Sequence, residues 1–356
     1  MASETRAIAT PLAGIRLRRS RGRTVGIVVV AFAALAAVLI LGVGLGSVSI
    51  APADSIAILA HRLLGLPVAR TWDPSAETIV MDLRLPRVLS AMLVGAGLAV
   101  AGVTFQGLLR NPLADPYVLG TASGAALGAA IAVLIPVRIL VLEMGLLNAL
   151  AFAGALVTVA IVYRVGRSGG LTGLLLTGYA VGSLLAAGLA MTMYLSGSNL
   201  RQIFSFLLGG FDGASWLRLG IALPLVVGGS VAILLRARAL NGLLLGDEAA
   251  AHLGVDVRRE RAILLALASL VTAAGVAISG LIGFVGLLVP HVVRLAVGPD
   301  ARRVLPLSAV AGAVLLGGAD LVARTAGDIP VGVVTALVGA PLFVVLLRRT
   351  RTGYEL

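Results

Sequence analysis

The amino-acid sequence predicts an all-α polytopic membrane protein with about ten transmembrane helices. Of its 356 residues, 59% are hydrophobic and only 12% are charged, and the mean hydropathy is +1.06. A soluble domain carries roughly a quarter charged residues, so this chain lacks the polar surface that water requires. Apolar runs of about twenty residues recur from Val25 to Leu347, and each is long enough to cross a hydrocarbon core.

The first apolar run, residues 25–46, follows a segment rich in arginine. A secretory signal peptide has a hydrophobic stretch of only about 7–15 residues, followed by a cleavage site of small residues. The present run is longer and has no convincing site of that kind. We therefore expect an uncleaved first span, with residues 1–24 forming a basic cytoplasmic arm.

Nine further spans are predicted from the remaining apolar runs. The seventh and eighth spans are separated only by the glycines of "SGLIGFVG". Together the ten spans form one transmembrane domain over residues 25–348, followed by a cytoplasmic tail over 349–356. The nine spans lie near 88–109, 117–135, 140–163, 172–195, 216–236, 259–279, 281–297, 304–319 and 331–347.

The distribution of charge supports this number of spans. With ten crossings, 20 arginines lie on the cytoplasmic side and 8 on the outer side, whereas the acidic residues divide equally. The inner segments then carry the whole net charge of +12. Because cytoplasmic loops of membrane proteins are enriched in basic residues, this pattern predicts that both termini are cytoplasmic.

Several classes of function are disfavoured by what the sequence lacks. It contains no cysteine, which excludes disulfides and thiolate metal sites. All 28 basic residues are arginine, so the lysine of a phosphate-binding P-loop is missing and any ATP must be bound by another subunit. No basic patch is interleaved with aromatic residues, which argues against nucleic acid. No charged residue falls near the middle of a predicted span, which argues against an ion-coupled carrier.

Glycines recur at the spacing that lets helices pack closely. Gly124 and Gly128 are four residues apart, and so are Gly178 and Gly182. Small residues at this spacing allow helix backbones to approach where lipid supplies no hydrophobic drive. A glycine-rich helix beside a wide pore is the functional alternative, and the fifth span also carries Met191, Met193 and Tyr194 as pathway candidates.

Two cytoplasmic segments carry further signals. In residues 240–262, Asp247 follows Gly246 and is placed to cap a short helix. A helix resting on the bilayer would carry arginine on its polar face, but this segment is acidic until Arg258, so docking to a protein partner is favoured. The second segment, "RNPLADP" (110–116), has the turn residues of a tight loop or of an ordinary helical hairpin.

Arginines also occur where they are not expected. Arg84 and Arg87 in "LRLPRVL" (83–89) lie three residues apart at a helix start, on the side where positive charge is usually avoided. Anchoring to lipid headgroups and docking to a partner are both open at this point. The sequence predicts no metal site, because His61 and His252 lie on opposite sides of the membrane and His291 is interpreted as structural.

Six motifs, in order from about residue 80 to residue 347, resemble the FecCD family of ABC importer permeases. They are "LRLPRVLSAMLVGAGLAVAGVTFQGLLRNPLADPYVLG", "LLLTGYAVGSL", "LLGDEAAAHLG", "ISGLIGFVGLLVPHVVRL", "GADLVART" and "IPVGVVTALVGAPLF". The resemblance implies a type II ABC importer in a bacterial cytoplasmic membrane, built on a homodimer of ten-helix subunits. Two separate ATPase subunits would bind ATP and Mg, and a periplasmic or lipoprotein binding protein would cap the outer side.

The resemblance also assigns roles to individual residues. Arg84, Arg87 and Arg324 would dock acidic residues of the binding protein, and residues 240–256 would contain the coupling helix that contacts the ATPase. The coupling-helix residues are Gly246, Asp247, Glu248, Ala251, Leu253 and Gly254, and the cytoplasmic-gate residues are Asn111, Leu113, Leu171 and Thr172.

The function expected from sequence is that of a permease subunit that catalyses nothing itself. It would carry a metal chelate inward, with ferric siderophore the first choice on family frequency and haem and cobalamin open. An ion-coupled secondary transporter and a membrane anchor for another enzyme are the alternatives of other classes.

Overall fold

The computed structural model describes residues 13–46, 48, 50–135 and 145–351. Half of the predicted basic arm and the end of the predicted tail lie outside these ranges, so the predicted domain boundaries stay predictions. We call the face that the arginine distribution predicts to be cytoplasmic the inner face, and the opposite one the outer face.

The described residues form α-helices and short helical turns, without a β-strand. A π-helical turn, Ile79–Arg84, joins α3 to α4, and short 3₁₀ turns precede α7 and α8. The α-helices are α1 Ala13–Gly44, α2 Pro52–Leu64, α3 Pro74–Thr78, α4 Leu85–Leu108, α5 Thr121–Leu134, α6 Gly145–Gly166, α7 Gly170–Leu195, α8 Leu200–Leu208, α9 Trp216–Leu235, α10 Ala237–Leu244, α11 Asp247–His252, α12 Val257–Ser279, α13 Val285–Val297, α14 Ala301–Thr325 and α15 Val331–Arg351.

The apolar helices match the predicted spans one for one. Within the described ranges, six stretches are long and apolar enough to cross a membrane, and one of them, Gly145–Leu195, comprises both α6 and α7. Three shorter apolar helices, α5, α13 and α15, complete the set. The predicted all-α polytopic fold is therefore confirmed.

Several helices extend beyond the predicted spans. Helical structure before α4 begins at Pro74 rather than near residue 88, and α14 extends to Thr325 rather than 319. Charged residues mark the end of a hydropathy run, but Arg84, Asp320 and Arg324 bond within the protein and the helix continues. The helices α2 and α8 were not predicted, because at 13 and 9 residues they are too short to form an apolar run of spanning length.

α4 lies at the centre of the bundle, with most of its residues buried. It packs against α14, α12, α13 and α9. A side chain at Gly102 would lie 1.9 Å from the carbonyl oxygen of Gly286, and one at Gly95 would lie 2.2 Å from that of Gly312. These backbones approach as closely as glycine permits, which is how helices associate where lipid provides no hydrophobic drive.

The predicted packing role of the first glycine pair is confirmed. A Cβ atom on Gly124 would lie 2.4 Å from the carbonyl oxygen of Gly154, and one on Gly128 would lie 2.1 Å from that of Leu150. Both contacts join α5 to α6, and their order shows that the two helices run antiparallel.

Non-helical backbone precedes the short helices α5 and α13. The eighth predicted span begins as a helix only at Val285, because residues 280–284 are not helical. The Tyr117 hydroxyl donates to the carbonyl of Ile282 over 3.0 Å and accepts from its N–H over 3.3 Å. Irregular backbone within a membrane protein requires partners of this kind, because lipid offers none.

Candidate functional site

Two of the outer-face arginines form hydrogen bonds with the last carbonyls of α1. Arg84 is 5% exposed, and its guanidinium donates to the carbonyls of Val43 over 3.0 Å and Gly44 over 2.8 Å. Arg324 is 7% exposed and donates to the carbonyl of Gly42 over 3.0 Å. The last carbonyls of a helix lack partners within it and carry partial negative charge. Both arginines therefore stabilise the carboxyl end of α1.

A buried carboxylate joins the arginines at this face. Asp320, in α14, is fully buried and accepts from Arg87 Nε over 2.9 Å. Arg324 Nε lies 3.0 Å from the other Asp320 oxygen. Asp320 was not among the residues predicted from the sequence, although its position four residues before Arg324 is the spacing of a helical ion pair.

Arg87 also reaches the surface. Its Nη1 lies 2.9 Å from a carboxylate oxygen of Asp212, whose side chain is 76% exposed, whereas the Arg87 side chain is 16% exposed. Arg87, one of the three arginines predicted to dock the binding protein, thus has an exposed ionic partner. The docking role of all three stays a prediction.

At the inner face, the predicted gate loop follows α4 directly. The Asn111 side chain accepts a hydrogen bond from the N–H of Leu113 over 2.9 Å, and Asp115 accepts one from the N–H of Tyr117 over 2.8 Å. These are the turns that Asn and Asp favour. Leu113 is 41% exposed. The second pair of predicted gate residues, Leu171 and Thr172, lies in the first turn of α7.

The predicted coupling helix is present as α11, next to α10. The expectation that Asp247 caps this helix was wrong, because Gly246 occupies the N-cap position with φ 112° and Asp247 is the first helical residue. Such a positive φ favours glycine. Asp247 instead forms ion pairs with Arg110 and with Arg261, the latter over 2.6 Å.

Several residues in and beside α11 have exposed side chains. Leu245 is 69% exposed and Leu253 is 65% exposed, and Glu248 is also exposed. Ala251 and Gly254 are exposed beside them.

On α10, Asn241 holds the start of α14. It donates to Asp300 over 2.7 Å and accepts from the N–H of Ala301 over 2.8 Å. The hydrogen bond from Asn241 lowers the pKa of the Asp300 carboxyl.

α7 presents two exposed stripes of different character. Side chains three or four residues apart lie on the same face of a helix. One stripe contains hydroxyl and small side chains, and Tyr179 and Tyr194 in it are 78% and 84% exposed. The other stripe is apolar. The first comprises Thr172, Tyr179, Ser183, Ala186, Ala190 and Tyr194, with Leu175, 36% exposed, at its edge, and the second comprises Leu176, Ala180, Leu184, Ala187, Met191 and Leu195.

The remaining pathway candidates lie elsewhere on α7. Gly178 is buried, and a Cβ atom there would lie 2.8 Å from the carbonyl oxygen of Val118. Gly182 lies near Ser123, and Met193 is partly buried. The sequence did not separate these residues from the exposed stripes, because it does not show which side α5 covers.

Comparisons with known proteins bear on this architecture. The model of the FecCD transport family matches residues 34–349. The cobalamin import system permease protein BtuC of Halobacterium salinarum is 47% identical over 301 residues, covering 83% of this chain and 79% of that protein. The hemin transport system permease protein HmuU of Yersinia pestis is 41% identical over 301 residues, covering 81% of this chain and 90% of that protein.

A solved structure supports the same assignment. It is described as an inward-facing conformation of an ABC transporter of a proposed metal-chelate type. It matches with a TM-score of 0.78 and 31% identity, covering 92% of this chain and 98% of that one. The order of the helices, the sequence relatives and this structural match agree. The chain therefore belongs to the FecCD transport family and is the permease of a type II ABC importer.

Proposed function

We propose that this permease carries a metal chelate of the tetrapyrrole class, cobalamin or haem, into the cell. The observation that carries this proposal is the identity of 47% and 41% to permeases named for cobalamin and hemin. Ferric siderophore, which sequence analysis placed first, is retained as the competing cargo. The membrane would be the cytoplasmic one, with both termini on its inner side.

ATP hydrolysis in two partner subunits would drive this transport. Leu245, Glu248 and Leu253 form an exposed patch that is partly apolar and lies outside the predicted spans. Exposed leucines on a water-facing surface are typical of a site that a protein partner covers. We assign the ATPase contact to this patch. The ion-coupled alternative is disfavoured because Asp320, a fully buried acid, is ion-paired with two arginines.

A second copy of the chain would complete the pathway. The apolar stripe of α7 suits a partner helix or lipid, since Leu184 is 72% exposed and Met191 is 58% exposed. On α15, Leu337 and Val338 are similarly exposed. The hydroxyl stripe suits a passage that a polar chelate crosses, because exposed hydroxyls gain little from lipid. We therefore place the pathway along the stripe that contains Tyr179 and Ser183.

Docking of the binding protein would centre on Arg87. Arg84 and Arg324 already donate hydrogen bonds to the carbonyls of α1, so they would stabilise the surface around Arg87. A carboxylate of the binding protein would compete with Asp212 for the Arg87 guanidinium, whose planar fork suits such a contact.

Reversing the charge of Arg87 is expected to weaken capture of the binding protein. For Arg87→Glu we expect the dissociation constant to rise roughly tenfold, and the association rate to lose part of its dependence on salt. Surface plasmon resonance with the permease complex in nanodiscs measures both quantities. The matched control is Arg70→Glu, an equal change of charge at an exposed outer-face arginine. Equal weakening by both variants would contradict a specific contact at Arg87.

A further inference from the structure

Arg110 stands at the junction between α4 and the gate loop. One residue, Leu109, separates it from the end of α4, and Asn111 follows it directly. Its backbone has φ 48°, a left-handed conformation that is uncommon for a residue other than glycine. Strained backbone of this kind persists only where the surroundings hold it. Here the Arg110 guanidinium is ion-paired with Asp247 on the coupling helix.

One carboxylate oxygen thus connects three elements of the inner face. Asp247 Oδ1, at the start of α11, accepts from Arg110 beyond α4 and from Arg261 in α12 over 2.6 Å. Arg261 is the more buried of the two arginines, with 17% of its side chain exposed against 37% for Arg110. Charge-assisted hydrogen bonds of this kind are the stronger ones.

The neighbouring acid is arranged differently. Glu248 is exposed and forms no ion pair within the described part of the chain. The two adjacent acids of α11 therefore have different roles. Glu248 belongs to the surface that a partner can cover, and Asp247 is already occupied within the chain.

We propose that Asp247 is a positioning residue that ties the coupling helix to the gate loop. When α11 is displaced, the ion pair with Arg110 moves the end of α4, and the turn closed by Asn111 and Leu113 moves with it. Arg261 anchors the same carboxylate to α12, so the displacement is shared with a transmembrane helix. This inference depends on the proposed function, since it presupposes an ATPase that moves α11.

The test is the amount of chelate transported for each ATP hydrolysed by the reconstituted importer. For Asp247→Asn we expect this ratio to fall roughly fivefold while hydrolysis continues, because the two movements are no longer coupled. Asp300→Asn, the same chemical change at an inner-face acid outside the coupling helix and the proposed ATPase contact, should leave the ratio unchanged. Asp247→Glu should restore most of it, because the carboxylate is kept.

A second variant keeps the proposal testable if Asp247→Asn does not fold. Arg110→Gln removes the same ion pair from an exposed side chain, and it should lower the ratio in the same way. Equal ratios for wild type, Asp247→Asn and Arg110→Gln would overturn the proposal, and so would a proportional loss of hydrolysis and transport. Failure of the wild-type complex to show ATP-dependent uptake would instead overturn the proposed function.

Discussion

Replacing Asp320 by alanine is expected to destabilise the folded protein more than any other single loss of charge at the outer face. Asp320 is fully buried, and it balances Arg87 and Arg324. Its removal takes away the carboxylate that lies 3.0 Å from Arg324, which is 7% exposed. Breaking a buried ion pair from one side costs about 3–5 kcal/mol. We therefore expect a large fall in the apparent melting temperature of the purified protein in detergent.

The control is Asp212, the second carboxylate that contacts Arg87. Asp212 is 76% exposed, and exposed ion pairs contribute only about 0–1 kcal/mol. Asp212→Ala should therefore melt close to the wild type, and Asp320→Asn should lie between the two alanine variants. Similar melting temperatures for Asp320→Ala and Asp212→Ala would contradict the buried network.

Chemical modification along the hydroxyl stripe of α7 is expected to block transport completely. Because the chain contains no cysteine, a single introduced thiol is the only thiol that the permease offers. Ser183→Cys should react with a charged methanethiosulfonate reagent, and the bulky adduct should stop uptake of the chelate. The physical reason is that the proposed pathway would bring water to this position.

The adjacent residue provides the matched control. Leu184 lies on the apolar stripe and is 72% exposed in one copy of the chain. A thiol in apolar surroundings has a raised pKa, so Leu184→Cys should react at least roughly tenfold more slowly, with uptake retained. Faster modification of Leu184→Cys than of Ser183→Cys would reverse our assignment of the two stripes.

Hydropathy alone was enough to predict the transmembrane helices, because each span is a long apolar run. It did not reveal α2 and α8, which are short, or the true end of α14, where Asp320 and Arg324 interrupt the run and yet lie in one helix. Whether a helix continues past such charged residues depends on their contacts with residues that are distant in the sequence. Nothing local indicates that Arg84 reaches the carbonyls of Val43 and Gly44, which precede it by about forty residues.

The site was predictable where a local motif fixes a local shape. The turns of Asn111 and Asp115 and the short helix after Gly246 follow from residue preferences, and the sequence located all three. The division of roles between Asp247 and Glu248 was not predictable. Both are acids at the start of one helix, and the positions of Arg110 and Arg261, distant in the sequence, distinguish them.

Uptake into proteoliposomes is the most direct test of the central claim. Vesicles would hold this permease, its ATPase and its binding protein, and labelled cobalamin, haem and ferric siderophore would be compared with ATP inside or absent. We predict ATP-dependent uptake of cobalamin or haem, strongly reduced by Arg87→Glu. Uptake of ferric siderophore alone would contradict the proposed cargo. Uptake that persists without ATP would contradict the account of an ATP-driven importer.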